Sequence, residues 1–420
     1  MEWSPLLPWL LLVLVNLAVI FRRVGKLEIP AWTAFLIAAV LIVLADPSSG
    51  FDRAVEVLAT QAEVFVFLFA MMVLVVALDI SGVLDEIARF LLKHSKSGRS
   101  LLLWIHLGFG LSASFLINDT VAIFAPLVLI RFSSQVEKDA KPYVLAMALG
   151  LTYGSALLPT GNPQNFIIAT GGNISFLQFV LYAIGPTIIA LVGSYLTLML
   201  LFRDSFTSEP FTEVKVAESL HIDYRHLQKP SLVALAVVFG GLVVSSFVSL
   251  PMAVVFLVVV GVFLFFTNER DLLLARLDWG VLFFFAGMFV VLDSVTTSPF
   301  FVDSVTPVMN DLQPDFHSYV IFIFLIFASC QLFSNVPVAI IVVQLLPQSS
   351  INLPLFWMAT ALTTTFAGAT TVLGAASNII VVETSQKRGV SISWLDMAKV
   401  GIPSSLIALL GVIALGVFLL

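Results

Sequence analysis

Two asparagine-centred motifs carry the chemistry of this chain. The first reads Asn118-Asp119-Thr120 inside an otherwise apolar stretch, and Ser334-Asn335-Val336-Pro337 places its asparagine 217 positions later. Each is followed by a second polar break, Gly161-Asn162-Pro163-Gln164-Asn165 and then Gly374-Ala375-Ala376-Ser377-Asn378, 213 positions apart. A helix broken in hydrocarbon frees N–H and C=O groups that must face protein, water or a ligand. Asn118, Asp119, Ser334 or Asn335 can cap the helix that starts at each break. Its N-terminus then suits an anion, while the carbonyl end of the preceding helix suits Na⁺. Asp119 is the only acid within its stretch, and an intramembrane carboxylate acts by default as a cation ligand or proton carrier.

The candidate substrate-binding residues are therefore Asn118, Asp119, Thr120, Asn162, Asn165, Ser334, Asn335, Ser377 and Asn378. Their hydroxyl and amide groups can hold a hydrated oxyanion, a small cation or a neutral hydroxylated solute. A single break is as well read as a kink with structural caps. Four breaks in two matched pairs point to the midplane site of a secondary transporter. Asn162-Pro163 disfavours helix before the proline, and Gly161 and Gly374 permit positive φ or close backbone approach. Asp79, Asp293 and Glu383 read as interfacial or structural. Cys330, one turn before Ser334, reads as a packing cysteine.

The elements that must position these groups follow from composition. The chain is 60% hydrophobic and 11% charged, and its apolar runs have the length of bilayer-crossing helices. This predicts an all-α polytopic membrane protein. Ten spans emerge, near 5–21, 30–47, 61–79, 143–170, 180–202, 231–249, 251–267, 279–296, 354–385 and 400–420. The spans at 143–170 and 354–385 are broken helices. Two further stretches, 101–130 and 319–346, are too long for one ordinary crossing and too short for two. They are read as re-entrant hairpins.

Charge placement agrees with that topology. With the N-terminus outside, nineteen of the twenty Lys and Arg residues fall on the cytoplasmic side and only Arg53 lies outside, as the positive-inside rule requires. The first hairpin opens to the cytoplasm, the second outward, and both termini lie outside a cell (inner) membrane. The first apolar run precedes its basic residues, Arg22, Arg23 and Lys26, which is the reverse of a signal peptide. Each half holds five spans and a hairpin, so residues 1–203 and 230–420 form two inverted repeats joined by a cytoplasmic linker, 204–229. Phe69-Ala70-Met71-Met72 and Phe285-Ala286-Gly287-Met288 echo the same duplication.

Other chemistry lacks its residues. No Gly-rich Lys-Ser/Thr loop and no His-Glu-x-x-His motif occurs. One cysteine excludes a disulfide framework and an all-cysteine metal site. Gly110-Leu111-Ser112 has no histidine paired with it as an intramembrane protease would need. Neither an enzyme nor a passive channel is favoured, and no cofactor is expected beyond a bound Na⁺ or a transported proton.

Phe115-Leu116-Ile117-Asn118-Asp119 with Pro126, Leu158-Pro159-Thr160-Gly161-Asn162-Pro163-Gln164-Asn165, Ser334-Asn335-Val336-Pro337 and Gly374-Ala375-Ala376-Ser377-Asn378-Ile379-Ile380 resemble the ion transporter superfamily. That group includes arsenite efflux pumps, divalent-anion/sodium symporters and sodium/proton antiporters of the D type. The resemblance covers nearly the whole chain. It implies one cation site at Asn118 and Gly161, a second at Ser334, Asn335 and Gly374, and substrate between the tips. Asp119 joins the cation-coupling set as a proton carrier. The symporters read Ser-Asn-Thr at both tips. Ile117, Asp119 and Val336 remove hydroxyls that would meet a carboxylate, which weighs against a dicarboxylate. The expectation is a proton- or Na⁺-coupled carrier of an inorganic anion or oxyacid, arsenite or antimonite first. A sodium/proton antiporter and a dicarboxylate/sodium symporter stand as alternatives. Expected partners are membrane lipid and the small ion, without nucleic acid. A separate ATPase subunit and a second copy of the chain are left open.

Overall fold

The computed structural model describes residues 6–21, 23–24, 27–135, 139–206 and 224–420. Most of the expected linker, and Arg22, Lys26, Lys138 and Lys215 of the charge count, lie outside the described residues. The fold is a multi-pass bundle of helices. The one β feature among the described residues is a two-residue antiparallel pair, Arg23–Val24 with Leu27–Glu28.

The first half runs α1 (Leu7–Phe21), α2 (Ala31–Ala45), α3 (Gly50–Thr60), α4 (Ala62–Ile80) and α5 (Val83–Lys93). Next come α6 (Gly98–Leu103), a π-helical segment (Trp104–Phe109) and α7 (Gly110–Leu116), continuous as one rod, then α8 (Asn118–Gln135). The broken span is α9 (Lys141–Gly154) and α10 (Pro163–Gly171), followed by α11 (Phe176–Leu201). The second half runs α12 (Gln228–Val248), α13 (Met252–Phe266), α14 (Arg270–Ala275), α15 (Trp279–Thr296), α16 (Pro299–Ser304) and α17 (Thr306–Asp311). It ends with α18 (Phe316–Phe333), α19 (Asn335–Leu345), α20 (Pro354–Ala367), α21 (Ala376–Gln386) and α22 (Trp394–Leu419).

Among the described residues, seven helical stretches are long and apolar enough to cross a membrane, including Gly98–Leu116 and Phe316–Phe333. Around the two stretches expected as hairpins, 101–130 and 319–346, the helical segments run from Gly98 to Gln135 and from Phe316 to Gln348. In each, the first arm alone has the length of a crossing. The remaining expected spans are shorter apolar helices (α1, α2, α13) or the two broken ones. Leu200, Phe247 and Phe265 stand exposed on helices that bury their opposite faces, a surface stable against hydrocarbon rather than water.

Polar contacts between elements sort the chain ends into two groups. Arg99 Nε donates to Phe206 O (3.3 Å) and Tyr143 Oη to Ser205 O (3.3 Å). The stretch 98–143 thus leaves from and returns to one place. Lys141–Asp396 (2.7 Å) and His226–Glu269 (2.7 Å) pair loops that the charge-based topology puts on this same side. At the other end Ser350 Oγ donates to Leu312 O (2.6 Å), so 312–350 also leaves and returns together. Leu177 N–Ser246 Oγ (3.1 Å), Trp9 Nε1–Ser298 Oγ (3.0 Å) and Arg53–Asp293 (2.8 Å) belong to this second group. Asp293, read as interfacial or structural from the sequence, has Arg53 as an ion-pair partner.

α11 and α22 form the scaffold's largest helix contact and run antiparallel. Gly193 abuts Ile407 while Gly411 abuts Ile189 and Pro186. Gly193 and Gly411 stand at matching places in the two helices. α2 packs on α15 and α13 on α4, again an exchange of equivalent elements.

Candidate functional site

The two tips are built alike. Each stretch breaks at one residue of positive φ, Ile117 (64°) and Ser334 (66°). A side chain there is strained unless its surroundings hold it. Immediately after, an asparagine accepts from the next backbone N–H: Asp119 N to Asn118 Oδ1 and Val336 N to Asn335 Oδ1, both 2.9 Å. Those bonds start α8 and α19, and Pro337 sits in the first turn of α19, where its missing donor is harmless.

Each tip rests on the glycine of its own half's unwound loop. Asn118 N donates to Gly161 O (3.0 Å), and Ser334 Oγ to Gly374 O (3.4 Å). Glycine is needed there for close approach and not for positive φ. A Cβ on Gly161 would lie 2.1 Å from Ser155 O, and one on Gly374 2.5 Å from Gly368 O. Asn162 is extended (φ −157°, ψ 159°) and caps α10 through Asn165 N (2.8 Å), with Pro163 at its first position.

Four helix N-termini therefore converge between the tips. α8 packs along α21, their starts joined by Asn118 Nδ2 donating to Ser377 Oγ (3.3 Å). α10 packs along α19, with Gly171 against Val343 eight residues into each. Of residues 114–120, 152–165, 330–337 and 365–378, which frame the tips and loops, Asp119 alone carries a charge.

The structure divides the sequence-flagged residues. Asp119, Thr120 and Ser334 are half-buried, and Val336, Thr371 and Val372 share that partial exposure. Asn118 and Asn335 are nearly buried beside them. Asn162, Asn165, Ser377 and Asn378 are fully buried. The Asn165 amide holds Ser155 O (3.1 Å) and Leu158 O (3.3 Å). The Asn378 amide holds Gly368 O (2.8 Å) and Thr371 O (3.0 Å). Their carbonyls accept from Thr365 (2.9 Å) and Thr152 (3.2 Å) of the opposite half. These two asparagines brace the loops. The threonines went unflagged in the sequence, although each stands thirteen positions before its half's asparagine. Cys330 is buried, and its carbonyl accepts from Ser334 N (3.1 Å). No cluster of three or more metal-ligating side chains occurs among the described residues.

Apolar spans, paired broken helices and a buried polar centre define a membrane transporter. The family model of the citrate transporters matches residues 1–365, and the chain belongs to that family. A 46 kDa membrane protein of Mycobacterium leprae is 25% identical over 371 residues, 83% of this chain and 84% of that one. The silicon efflux transporter LSI3 of Oryza sativa subsp. japonica is 29% identical over 181 residues, 43% of this chain and 36% of its own. The crystal structure of the Alcanivorax borkumensis YdaH transporter, described as having an unusual topology, shares the fold. Its TM-score is 0.56 at 17% identity, over 98% of this chain and 96% of that one.

Proposed function

We propose that this chain is a secondary active transporter of a small inorganic anion or oxyacid, arsenite and antimonite first, driven by a proton or Na⁺ gradient. The observation that carries this reading is the charge inventory of the centre. Its framing segments hold one carboxylate, Asp119, and no fixed cation. A tricarboxylate such as citrate brings several charges that the helix N-termini alone would have to offset. An uncharged hydroxide such as arsenous acid needs only hydroxyl, amide and backbone partners. Silicic acid is a solute of the same kind, so the likeness to a silicon efflux transporter favours export of such a solute.

In this reading the stretches 101–130 and 319–346 are re-entrant hairpins, entering a cell membrane from opposite sides. The return of each to its own end of the molecule supports that. Residues 1–203 and 230–420 act as inverted repeats, with both termini outside. Asn118, Asp119 and Gly161 form one cation-coupling site, and Ser334, Asn335 and Gly374 the other. Solute sits between the tips, beside Thr120 and the helix starts at Ser377 and Asn335. Alternating access comes from hairpins and broken helices moving against the scaffold.

The test is flux in proteoliposomes under an imposed proton or Na⁺ gradient, offering arsenite, phosphate, citrate and Na⁺ separately. Gradient-driven arsenite movement, with citrate ignored, is expected. Cation exchange with no solute requirement would replace this reading with a sodium/proton antiporter, and gradient-driven citrate uptake with a carboxylate symporter.

A further inference from the structure

We propose that Thr152 and Thr365 are positioning residues that tie the two unwound loops together, so that a shift of either loop is felt at the opposite tip. Its meaning for transport rests on the reading above; the geometry does not.

The connection can be followed atom by atom. Asn165 holds two carbonyls of the first loop, and its own Oδ1 takes the hydroxyl proton of Thr365 in α20. Thr365 lies in the turn that leads into the second loop, where Gly368 N donates to its carbonyl (3.2 Å). That loop ends at Gly374, on which Ser334 of the second tip rests. In the reverse direction Asn378 holds the second loop and takes its bond from Thr152 in α9. Thr152 leads into the first loop, whose Gly161 carries Asn118. Each loop is thus closed by an asparagine from its own half and pinned by a threonine from the other.

The two pins are unequal. A threonine hydroxyl has one proton. Thr365 gives its proton to Asn165 and accepts a further bond from Asn162 Nδ2 (3.3 Å). Thr152 divides its proton between Asn378 and Ala148 O (3.0 Å), and the position matching Asn162 is Ala375, which offers no side-chain donor. The Thr365 pin is the firmer. Neighbouring threonines of α20 do something different. Thr360 and Thr364, equally buried, bond only carbonyls of their own helix.

Cys330, the chain's one cysteine, reports on the second tip without further engineering. The experiment follows its alkylation by N-ethylmaleimide in the full-length protein in liposomes, with melting temperature recorded beside it. Thr365→Val should raise the rate about fivefold, the population change that loss of one net hydrogen bond gives. Thr365→Ser should restore the slow rate, and Thr364→Val should leave it unchanged. Thr152→Val should raise the rate about twofold, and it carries the test alone if Thr365→Val does not fold. An unchanged rate in the valine variants, an equal rise in Thr364→Val, or no restoration by serine would overturn the proposal. Alkylation needs no transported ion. Absent ion-driven flux would sink the transporter reading while the labelling result stood. Intact flux with flat labelling would sink the pins alone.

Discussion

Replacing Gly161 by alanine places a Cβ 2.1 Å from Ser155 O and 2.8 Å from the Ser155 carbonyl carbon and Cα. The nearest approach is about 1.4 Å inside ordinary contact. The obstructing atoms are backbone, so the loop itself must open. Two bonds lie in its path: Asn165 Nδ2 to Ser155 O (3.1 Å) and Asn118 N to Gly161 O (3.0 Å). Each contributes about 1 kcal/mol net, and up to about 3 kcal/mol where a buried group is left unpaired. The expected destabilisation is about 2–5 kcal/mol. A displacement of about 1 Å at a positioned site costs on the order of 100-fold in rate. Gly374→Ala overlaps less, at 2.5 Å from Gly368 O, and should lose less of both. Gly185 in α11 has nothing within 4 Å of the added atom, so its alanine variant should gain about 0.5–1 kcal/mol. Thermal unfolding in detergent and initial flux in proteoliposomes, measured on the three variants together, decide the matter. Wild-type melting and flux in Gly161→Ala, or a reversed order of the three, would refute the close-approach account.

Asp119→Asn keeps the size of the side chain at the first tip and removes the only charge at the centre. Ion-driven flux should lose its dependence on the driving cation, and uptake with unchanged pH or Na⁺ dependence would contradict that role. The orientation can be read chemically in a Cys330→Ser background. A cysteine at Thr60 should react with a membrane-impermeant maleimide added outside intact cells, and one at Asp204 should react only after permeabilisation. The opposite pattern would invert the proposed topology.

The spans were legible because apolar run length is a local property. α15 occupies the predicted 279–296, and the broken spans fall within two residues of expectation. α22 begins at Trp394, earlier than the predicted 400, because its first turns carry Asp396 and Lys399. A capping box between Ser393 and Asp396 starts it there. α3 is outside the expected spans because Asp52, Arg53 and Glu56, on an otherwise apolar helix, hide it from a hydropathy reading. The charges of α5 hide it in the same way. At the centre the sequence marked the polar positions but could not assign their partners. Asn165 looks like a ligand until Thr365, 200 positions away, is found on its carbonyl. Long-range pairing of this kind leaves no trace in spacing, except through the duplication itself.

Asn165 and Asn378, which help make the centre conspicuous, spend their amide hydrogen bonds holding main chain in place. On the proposed reading, the side chains left at least partly open to a solute between the tips are few and small, Asp119, Thr120, Ser334, Val336, Val372 and the exposed Ala376, with peptide backbone between them. A socket of this construction can change its customer without being rebuilt. Exchanging a methyl for a hydroxyl at Val336, or adding a hydroxyl to the methyl of Ala376, would on that reading alter recognition while the braced loops remain untouched. Relatives with one architecture can thereby diverge in what they carry through a handful of surface-sized edits.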